Sequence, residues 1–304
     1  MTSMKQVLVI GSVSDGPTEG AALKQMQDYV QTALGTGQAE VFSCHLDQVG
    51  YYFSNQGSQI TDLVNNKDLK DYGLVFFRGK MAVSLNAASV IAQYLKENGV
   101  PHANTAYSKR RPVGKIPQMM QCASLGLPLP ITVAASAKYL PQLIDEHLTY
   151  PTIVKDVVGA HGDNNYLVKD AGQLAEILQK QPEIQFMAQQ FVPNNGDYRV
   201  LFVGPQTAII HRQSQGDSHL NNTSVGGQAT LIPVKDFPAK VIQESHQFAE
   251  LCDYEIAGVD VIFDSNTNEH YFLEINSQPQ LMTGAEVPLK QEMLKEYFSQ
   301  LLGL

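Results

Sequence analysis

Two acidic residues interrupt the apolar arms of a β-hairpin that the sequence predicts over residues 258–280, GVDVIFDSNTNEHYFLEINSQPQ. A turn from Ser265 to Glu269 places Asp260 directly opposite Glu274. Asn276 follows two residues later and points to the same side, because side chains alternate along a strand. The same alternation predicts the core face as Val259, Val261, Phe263, Tyr271, Leu273 and Ile275, and puts Ile262 and Phe272 on the acidic face.

Two directly opposed carboxylates destabilise a hairpin unless a cation neutralises them. Mg²⁺ binds one or two protein carboxylates and completes its coordination with water and phosphate, so Asp260, Glu274 and the Asn276 carbonyl form a suitable ligand set. A half-exposed face whose acids pair with nearby lysines is the alternative. A shift of one residue would turn Asp260 away from Glu274, so the hairpin alone leaves both interpretations open.

A second predicted hairpin, DYRVLFVGPQTAIIHR over residues 197–212, carries two arginines. With Pro205 and Gln206 at its turn, Arg199 lies opposite Arg212, and two facing guanidiniums repel each other unless they share an anion. Asp197 lies on the same face and offers Arg199 a carboxylate. Solvated arginines on a surface hairpin are the alternative. An acidic pair on one hairpin and a basic pair on another is the combination that a metal–nucleotide site requires.

Two lysines upstream of these hairpins are candidates for phosphate binding. Lys155 lies in the apolar strand PTIVKD and precedes a loop with Gly159 and Gly162, where backbone N–H groups can approach phosphate oxygens closely. A strand-end lysine that extends to water beside an ordinary loop is the alternative. Lys115 follows a Pro-Val-Gly break and either reaches a phosphate or belongs to the solvated basic cluster before it.

The alternation of predicted elements places these residues in three units. Strands and helices alternate over residues 1–105, which predicts an α/β unit with a parallel sheet. The stretch SKRRPVGK breaks this rhythm, and an α+β unit follows over residues 106–186. From there on strands come as hairpins, so we expect a third, antiparallel α+β unit over residues 187–304.

Composition and missing motifs exclude several classes of protein. A net charge of −9 argues against broad, sequence-independent binding to nucleic acid. No apolar run approaches the roughly 20 residues needed to span a bilayer, so we expect no membrane segment and a cytoplasmic protein. The three cysteines, Cys44, Cys122 and Cys252, are far apart and predict free buried thiols. The sequence contains no GxGxxG, GxxxxGK[ST], HExxH or GxSxG motif.

The order of motifs resembles the ATP-grasp ligases, and most closely the RimK-like branch of ribosomal-protein glutamate ligases and their relatives. The resemblance covers essentially the whole chain, because FFRGK…GVPHANTA is also similar to the amino-terminal domain of that branch. AGVDVIF followed by LEIN is the most specific element. The other segments that carry the resemblance are Lys115, Lys155 with its glycine loop, MAQQFV, GDYRVLFVG, IIHR and NNTSVGG.

The resemblance implies a three-domain ATP-grasp fold, in which ATP lies between the central α+β domain and the carboxyl-terminal antiparallel α+β domain, behind an α/β pre-ATP-grasp domain. It also implies a reaction in which ATP phosphorylates a carboxylate and an amine displaces the phosphate. Carried over by motif, Arg212 and Lys155 would be catalytic, and Asp260, Glu274 and Asn276 would bind Mg²⁺ or Mn²⁺. The residues that would bind ATP are Lys115, Lys155, Gly159, Gly162, Gln189, Gln190, Phe191, Val192, Asp197, Arg199 and Asn222.

Four positions depart from the pattern of the branch. Gln190 replaces a common Glu, which is acceptable where the backbone binds adenine. Asn164 replaces a further glycine of the loop. Leu220 replaces an arginine on the phosphate side, and Gln280 stands where Gly is usual. These changes affect the expected substrate more than the ATP chemistry.

Three functions follow, in order of preference. The first is an ATP- and Mg²⁺-dependent ligase that adds glutamate or another amino acid to an amine or a peptide. The second is a tailoring ligase that cross-links a ribosomal peptide, or a small dipeptide ligase. The third is a nucleotide-binding regulator that has lost catalysis, which the intact metal positions argue against. Both a monomer and a homo-oligomer are compatible with the sequence.

Overall fold

A computed structural model describes residues 4–13, 17–79, 81–109, 114–158, 164–214 and 228–304 of the chain. Gly159, Gly162 and Asn222, which the resemblance places at the nucleotide, and Leu220 lie outside the described residues. Cys44, Cys122 and Cys252 are all free and buried, as the sequence predicts. None of the helices within the described ranges has the length and apolar character needed to cross a membrane.

The amino-terminal elements form a parallel sheet of four strands, and the expected α/β unit is confirmed. They are, in chain order, β1 (Lys5–Gly11), α1 (Pro17–Leu34), β2 (Ala39–His45), β3 (Val49–Ser54), β4 (Gly57–Asp62), β5 (Lys67–Asp68), β6 (Leu74–Arg78), α2 (Leu85–Glu97) and β7 (His102–Ala103). The strand order is β2-β1-β6-β7. Residues 7–10 of β1 are completely buried, because both faces of this central strand are covered.

The strands β3, β4 and β5 form a separate three-stranded sheet that the sequence did not predict. The segment lacks a clear alternation of buried and exposed residues, because most of β3 and half of β4 face solvent. Tyr52 and Phe53 are more than 60% exposed, so apolar side chains here do not mark a core face. A pattern of apolar residues therefore gave no signal for this sheet.

The middle of the chain forms a second sheet in the order β10-β9-β11-β8. Its elements are α3 (Lys115–Ser124), β8 (Thr132–Ala134), α4 (Leu140–His147), β9 (Thr152–Asp156), β10 (Asn165–Val168), α5 (Ala171–Lys180) and β11 (Phe186–Gln190). Asp170 caps α5 by accepting a hydrogen bond of 2.9 Å from the Gln173 amide. The expected boundary between residues 186 and 187 falls inside β11, which pairs with β8 and β9. The strand pairing therefore favours a boundary after Gln190.

The rest of the chain forms a five-stranded antiparallel sheet in the order β14-β13-β12-β15-β16. Its elements are β12 (Asp197–Val203), β13 (Gln206–Gln213), β14 (Gln228–Ile232), α6 (Ala239–Cys252), β15 (Ile256–Phe263), β16 (His270–Asn276) and α7 (Val287–Leu302). The sequence predicted both hairpins but not β14. Because β12 lies between β13 and β15, the two predicted hairpins are neighbours in one sheet.

The first and third sheets share one hydrophobic core, with α7 between them. Phe298 of α7 packs edge-on against Phe76 of β6, with ring centroids 5.1 Å apart. Leu294 belongs to the same buried cluster as Val9 of the first sheet and Leu201 of the third. The carboxyl ends of the amino-terminal strands are consequently held near the loop that follows β16.

Candidate functional site

A β-bulge sets the pairing of the acidic hairpin. Asp260 pairs with Glu274, as the sequence predicts, but Val261 pairs with Phe272, so the register shifts between residues 260 and 261. The shift adds Leu273 to β16 as an extra residue and turns Phe272 into the core. The predicted core face was therefore wrong for Phe272, which is fully buried there, and for Tyr271 and Leu273, which stay partly exposed.

The arginine hairpin has a different register from the predicted one. Arg212 pairs with Asp197, and Arg199 pairs with Ile210, so the predicted opposition of Arg199 and Arg212 is wrong. The strands end at Val203 and Gln206, which puts the turn at Gly204 and Pro205, one residue earlier than expected. Gly204 has a φ of 57°, and a side chain there would collide with the Tyr297 ring, so only glycine fits the turn.

The two hairpins meet in an alternating cluster of acids and arginines, which we call the charge cluster: Asp197, Arg199, Arg212, Asp260, Glu274 and Asn276. Arg199 donates two hydrogen bonds of 2.8 Å to Asp260, from Nε and Nη2. Arg212 donates two to Asp197, of 2.6 and 2.8 Å, and its Nη2 also lies 3.0 Å from Asp260. Each arginine is thus paired with a carboxylate instead of with the other arginine.

Burial makes these charges depend strongly on one another. Burial alone would raise the pKa of Asp260, but Arg199 and Arg212 together hold that pKa at about 2. Burial opposes the charge of Arg212, yet Asp260 and Asp197 raise its pKa above the usual range. Burial raises the pKa of Asp197, although Arg212 acts in the opposite direction. Asp260 and Arg212 are therefore ionised at neutral pH.

Lys155 lies at the edge of the charge cluster, on β9 of the second sheet. Its residue is 8% exposed, which contradicts the alternative that the ammonium extends to water. Burial and the charge of Lys115 lower its pKa, Glu274 and Asp260 raise it, and the net result is a pKa of about 8. Lys115 begins α3. Both predicted lysines therefore act electrostatically on the same site.

Gln118 connects α3 to the acidic strand, and sequence reasoning missed it. Its side-chain amide donates a hydrogen bond of 2.7 Å to the Ile275 carbonyl and accepts one of 3.2 Å from the Ile275 amide. The side chain thus acts as an additional strand partner beside Glu274 and Asn276. The available signal was a polar residue among the buried positions of α3, next to Met119.

The predicted adenine-binding segment, Gln189, Gln190, Phe191 and Val192, runs from the end of β11 into the third sheet. Gln189 is buried, and its side chain donates a hydrogen bond of 2.9 Å to Thr132. Gln190 is exposed at the end of the strand. The side chain of Gln189 is therefore used inside the second sheet.

Asn164, where the branch has another glycine, has a φ of 51°. Asparagine tolerates this left-handed conformation better than most residues. Its side chain bonds Asp156 and Tyr166, at 3.4 and 3.1 Å. The replacement therefore keeps the backbone conformation that glycine would permit.

The oxygen ligands of the acidic face suit a hard divalent cation. Glu274 accepts a hydrogen bond of 3.0 Å from the Asn276 amide, which also lies 3.5 Å from Asp260. A rotation of this amide presents its oxygen to the same side as the two carboxylates. No group of three His, Cys, Asp or Glu side chains able to hold a metal occurs among the described residues. Two carboxylates and an amide oxygen fit Mg²⁺, which needs water and phosphate to complete its coordination.

Comparison with known proteins identifies relatives across most of the chain. A family model described as the RimK-like ATP-grasp domain matches residues 117–296. An uncharacterized protein of Mycoplasma pneumoniae is 27% identical over 222 residues, which are 67% of this chain and 74% of the relative. A probable alpha-L-glutamate ligase of Haemophilus influenzae is 24% identical over 218 residues, which are 70% of each protein.

Solved structures with similar folds include the ATP-grasp ligase PsnB. Its complex with a phosphomimetic variant of its minimal precursor, Mg and ADP has a TM-score of 0.67 and 14% identity, over 98% of each chain. At this identity the likeness shows the fold alone. The expected ATP-grasp fold is therefore confirmed.

Proposed function

The chain belongs to the RimK-like ATP-grasp family, and we propose that it joins a carboxylate to an amine by way of an acyl phosphate. In the first step a substrate carboxylate oxygen attacks the γ-phosphorus of ATP, the bridging P–O bond breaks, and ADP leaves. In the second step the amine nitrogen attacks the acyl carbon, the C–O bond to phosphate breaks, and the amine loses a proton. The products are an amide, ADP and phosphate.

The observation that carries this proposal is the position of Asp260 between two arginines from the neighbouring hairpin. Arg199 and Arg212 are held within the site by carboxylates, at 2.8 and 3.0 Å from Asp260. A triphosphate would compete with Asp260 for these guanidiniums, because phosphate oxygens bind them in the same bidentate way. The exchange would leave the Asp260 oxygens available to a cation.

Asp260, Glu274 and the Asn276 carbonyl would then hold Mg²⁺, and the same oxygens accept Mn²⁺. The cation would neutralise charge on the transferred phosphoryl group. Arg212 would stabilise the acyl phosphate, because it is fixed at its other edge by Asp197 and stays charged at every working pH. Its buried position would keep water away from that phosphate.

The electrostatic effect of Glu274 and Asp260 on Lys155 supports further nucleotide contacts from the second sheet. Lys155 and Lys115 would bind phosphate oxygens, and the backbone of residues 189–192 would bind adenine. Asp197 and Arg199 would contribute to nucleotide binding indirectly, because Asp197 positions Arg212 and Arg199 positions Asp260. The family pattern further assigns phosphate contacts to the segments that contain Gly159, Gly162 and Asn222.

We propose a free amino acid or a peptide as substrate, with L-glutamate as the first candidate. Relatives named probable alpha-L-glutamate ligase support the amino acid. The complex of PsnB with its precursor supports a peptide as the second candidate. The three-domain division and a cytoplasmic location remain part of the same proposal.

The test measures ADP release by the full chain with ATP and Mg²⁺, across the twenty L-amino acids added singly and in pairs, and with short peptides. Acceptor-dependent ADP release, matched by an amide product in mass spectrometry, is the expected result. Omission of Mg²⁺ should abolish it, and Mn²⁺ should restore it in part. Tight binding of ATP with no product from any acceptor would contradict the ligase and favour a nucleotide-binding regulator.

A further inference from the structure

Within the part of the chain that the structure describes, three polar atoms are buried without a hydrogen-bond partner at the junction between the first sheet and the loop after β16. They are Arg78 Nη1, the Tyr29 hydroxyl and Gln278 Oε1. A buried polar group without a partner is unfavourable, so three at one junction require an explanation. None of the three belongs to the charge cluster.

The junction itself is fixed by well-formed contacts. Arg78 Nη2 donates a hydrogen bond of 3.1 Å to the Pro279 carbonyl, and the Gln278 amide donates one of 3.2 Å to the Phe77 carbonyl. These two hydrogen bonds join neighbouring residues of β6 to neighbouring residues of the loop. Arg78 and Gln278 therefore lie at the same junction between β6 and this loop, which we call the seam. Tyr29 is within electrostatic range of Arg78, since the Arg78 charge acts on the pKa of its hydroxyl.

Arg78 is a guanidinium without a carboxylate. Arg199 and Arg212 each form ion pairs with acids, whereas Arg78 forms none within the ranges that the structure describes. Its guanidinium lies 5.3 Å from the centre of the Phe76 ring, and burial lowers its pKa to about 10. The groups that offset this burial are two phenols, Tyr107 and Tyr29. A buried cation with an unused N–H donor favours the binding of an anion, which can accept that hydrogen bond and balance the charge.

The seam also lies where ligands bind in open α/β sheets. In this sheet β2 lies on one side of β1, and β6 and β7 lie on the other. The strand order therefore reverses between β1 and β6. Arg78 is the last residue of β6 and pairs with Gly11 at the end of β1. The crevice outside the carboxyl ends of such strands is the general ligand position of this architecture.

The seam is close to the charge cluster. Gly258 is so close to its neighbours that a side chain there would lie 3.0 Å from Arg199 and 3.3 Å from Pro279. Pro279, whose carbonyl Arg78 binds, is therefore packed beside the arginine that holds Asp260. A ligand bound to Arg78 would therefore lie close to the proposed site of phosphoryl transfer, on the other side of Pro279.

We propose that Arg78, Tyr29 and Gln278 bind the α-carboxylate and the adjacent amino group of an amino-acid substrate. Arg78 Nη1 and the Tyr29 hydroxyl donate to the carboxylate, and Gln278 Oε1 accepts an N–H of the amino group. This carboxylate is a recognition group and not the one that receives phosphate. The assignment deepens the proposed function and rests on it, because it names the residues that select the substrate of that same ligase.

The test measures equilibrium binding by calorimetry, with Mg²⁺ and a non-hydrolysable ATP analogue, so that it does not depend on turnover. The probes are the free L-amino acids, L-glutamate first, each beside its α-amide, and one dipeptide with a free or amidated carboxyl end. We expect binding of free carboxylates and at least about tenfold weaker binding of the amides, since a charge-assisted hydrogen bond is lost. Equal binding of acids and amides, or no binding of any probe, would overturn the assignment.

Arg78→Lys keeps the charge but loses the second N–H, and we expect about 10- to 100-fold weaker binding of the free acid. Because Arg78 also holds Pro279, Tyr29→Phe serves as the second variant, with no loss of fold. Tyr150→Phe is the matched control, since the Tyr150 hydroxyl is also buried without a partner but lies with the second sheet. Tyr29→Phe should weaken binding, whereas Tyr150→Phe should not.

The failure of this assignment is distinguishable from the failure of the ligase function. Arg78→Lys and Tyr29→Phe variants that bind the acid as the wild type does would leave only water at the seam and overturn the assignment, while ADP release continues. A shift in the KM for the amino acid with an unchanged KM for ATP is the expected kinetic result. Equal changes in both constants would indicate a purely structural role and would also overturn it.

Discussion

Arg199 binds Asp260 through two hydrogen bonds of 2.8 Å, from β12 to the directly paired position on β15. Asp260 on the acidic hairpin is therefore neutralised by an arginine of the neighbouring hairpin. Among the proposed metal ligands, Asp260 is the one whose charge these arginines balance. Nucleotide binding would exchange these partners, with arginines moving to phosphate and Asp260 to Mg²⁺.

Glu274→Gln should abolish Mg²⁺-dependent ADP formation, by at least about 100-fold, because it removes a charged metal ligand. Glu274 accepts a hydrogen bond from Asn276, which a glutamine oxygen can also accept, so the fold should persist. The measurement is ADP release against Mg²⁺ concentration, with circular dichroism for the fold. Glu269→Gln, at the exposed turn of the same hairpin, is the control and should keep full activity. Near-normal turnover in Glu274→Gln would exclude it as a metal ligand.

Arg199→Met should destabilise the fold by about 3 kcal/mol, since it leaves Asp260 buried with a single guanidinium. The added change Asp260→Asn should recover part of this loss, because it removes the charge that lost its partner. Urea denaturation of both single variants and the double variant gives the coupling energy. Additive effects of the two changes would show that the pair contributes no coupling.

Binding of an ATP analogue should weaken as the pH rises through about 8, because the folded-state pKa of Lys155 lies there. Below this pH the ammonium is charged and attracts phosphate; above it the amine is neutral and the attraction is lost. Affinity measured from pH 7 to 9.5 without Mg²⁺ should show the decline, and Lys155→Met should remove it. Lys24→Met, on the exposed face of α1, should leave the profile unchanged. A flat profile in the wild type would place Lys155 away from the phosphates.

The pKa of Lys155 also predicts the direction in which the free energy of unfolding changes with pH. Its folded-state pKa is lowered from 10.5 to about 8, so the unfolded chain holds more protons between these values. The contribution of Lys155 to the free energy of unfolding therefore rises with pH from about 8 to 10.5. The difference in stability between wild type and Lys155→Met should change in that interval and be constant below it. Opposite or absent dependence would contradict a buried lysine.

Gln118→Leu should lower the free energy of unfolding by about 2 kcal/mol, because the Ile275 amide and carbonyl lose their shared partner. We also expect a raised KM for ATP, since α3 carries Lys115 and loses its attachment to the acidic strand. Gln142→Leu, on the exposed face of α4, is the control and should change neither quantity. Loss of stability with an unchanged KM for ATP would limit Gln118 to a structural role.

The sequence predicted correctly which residues face each other in the acidic hairpin but not in the arginine hairpin. In both cases the pairing depends on where the turn lies. Alternation defines which residues share a face, so Asp260, Glu274 and Asn276 could be grouped from the sequence. The opposition of Asp260 and Glu274 is correct because the extra residue Leu273 compensates for a turn that pairs Phe263, and not Asp264, with His270. No such compensation occurs in the arginine hairpin, where the turn at Gly204 moved the pairing by two residues.

Residues that bind across units were beyond sequence reasoning. Gln118, Arg78 and Gln278 are ordinary polar residues until α3, β6 and the loop after β16 meet in space. Their partners are backbone groups more than 150 positions away in the chain. Periodicity is a local signal, so it cannot report such contacts.

By itself the sequence determined that a parallel α/β unit is followed by antiparallel hairpins, and the chemical types of the site: carboxylates, guanidiniums and lysines. These follow from local propensity and alternation, which act over a few residues. Only the tertiary structure decided which arginine meets which acid, that Lys155 is buried beside them, and that Arg78 has an unused N–H. Strand order and register depend on turns, on a bulge and on packing between distant segments, and these set the electrostatic environment of each charge.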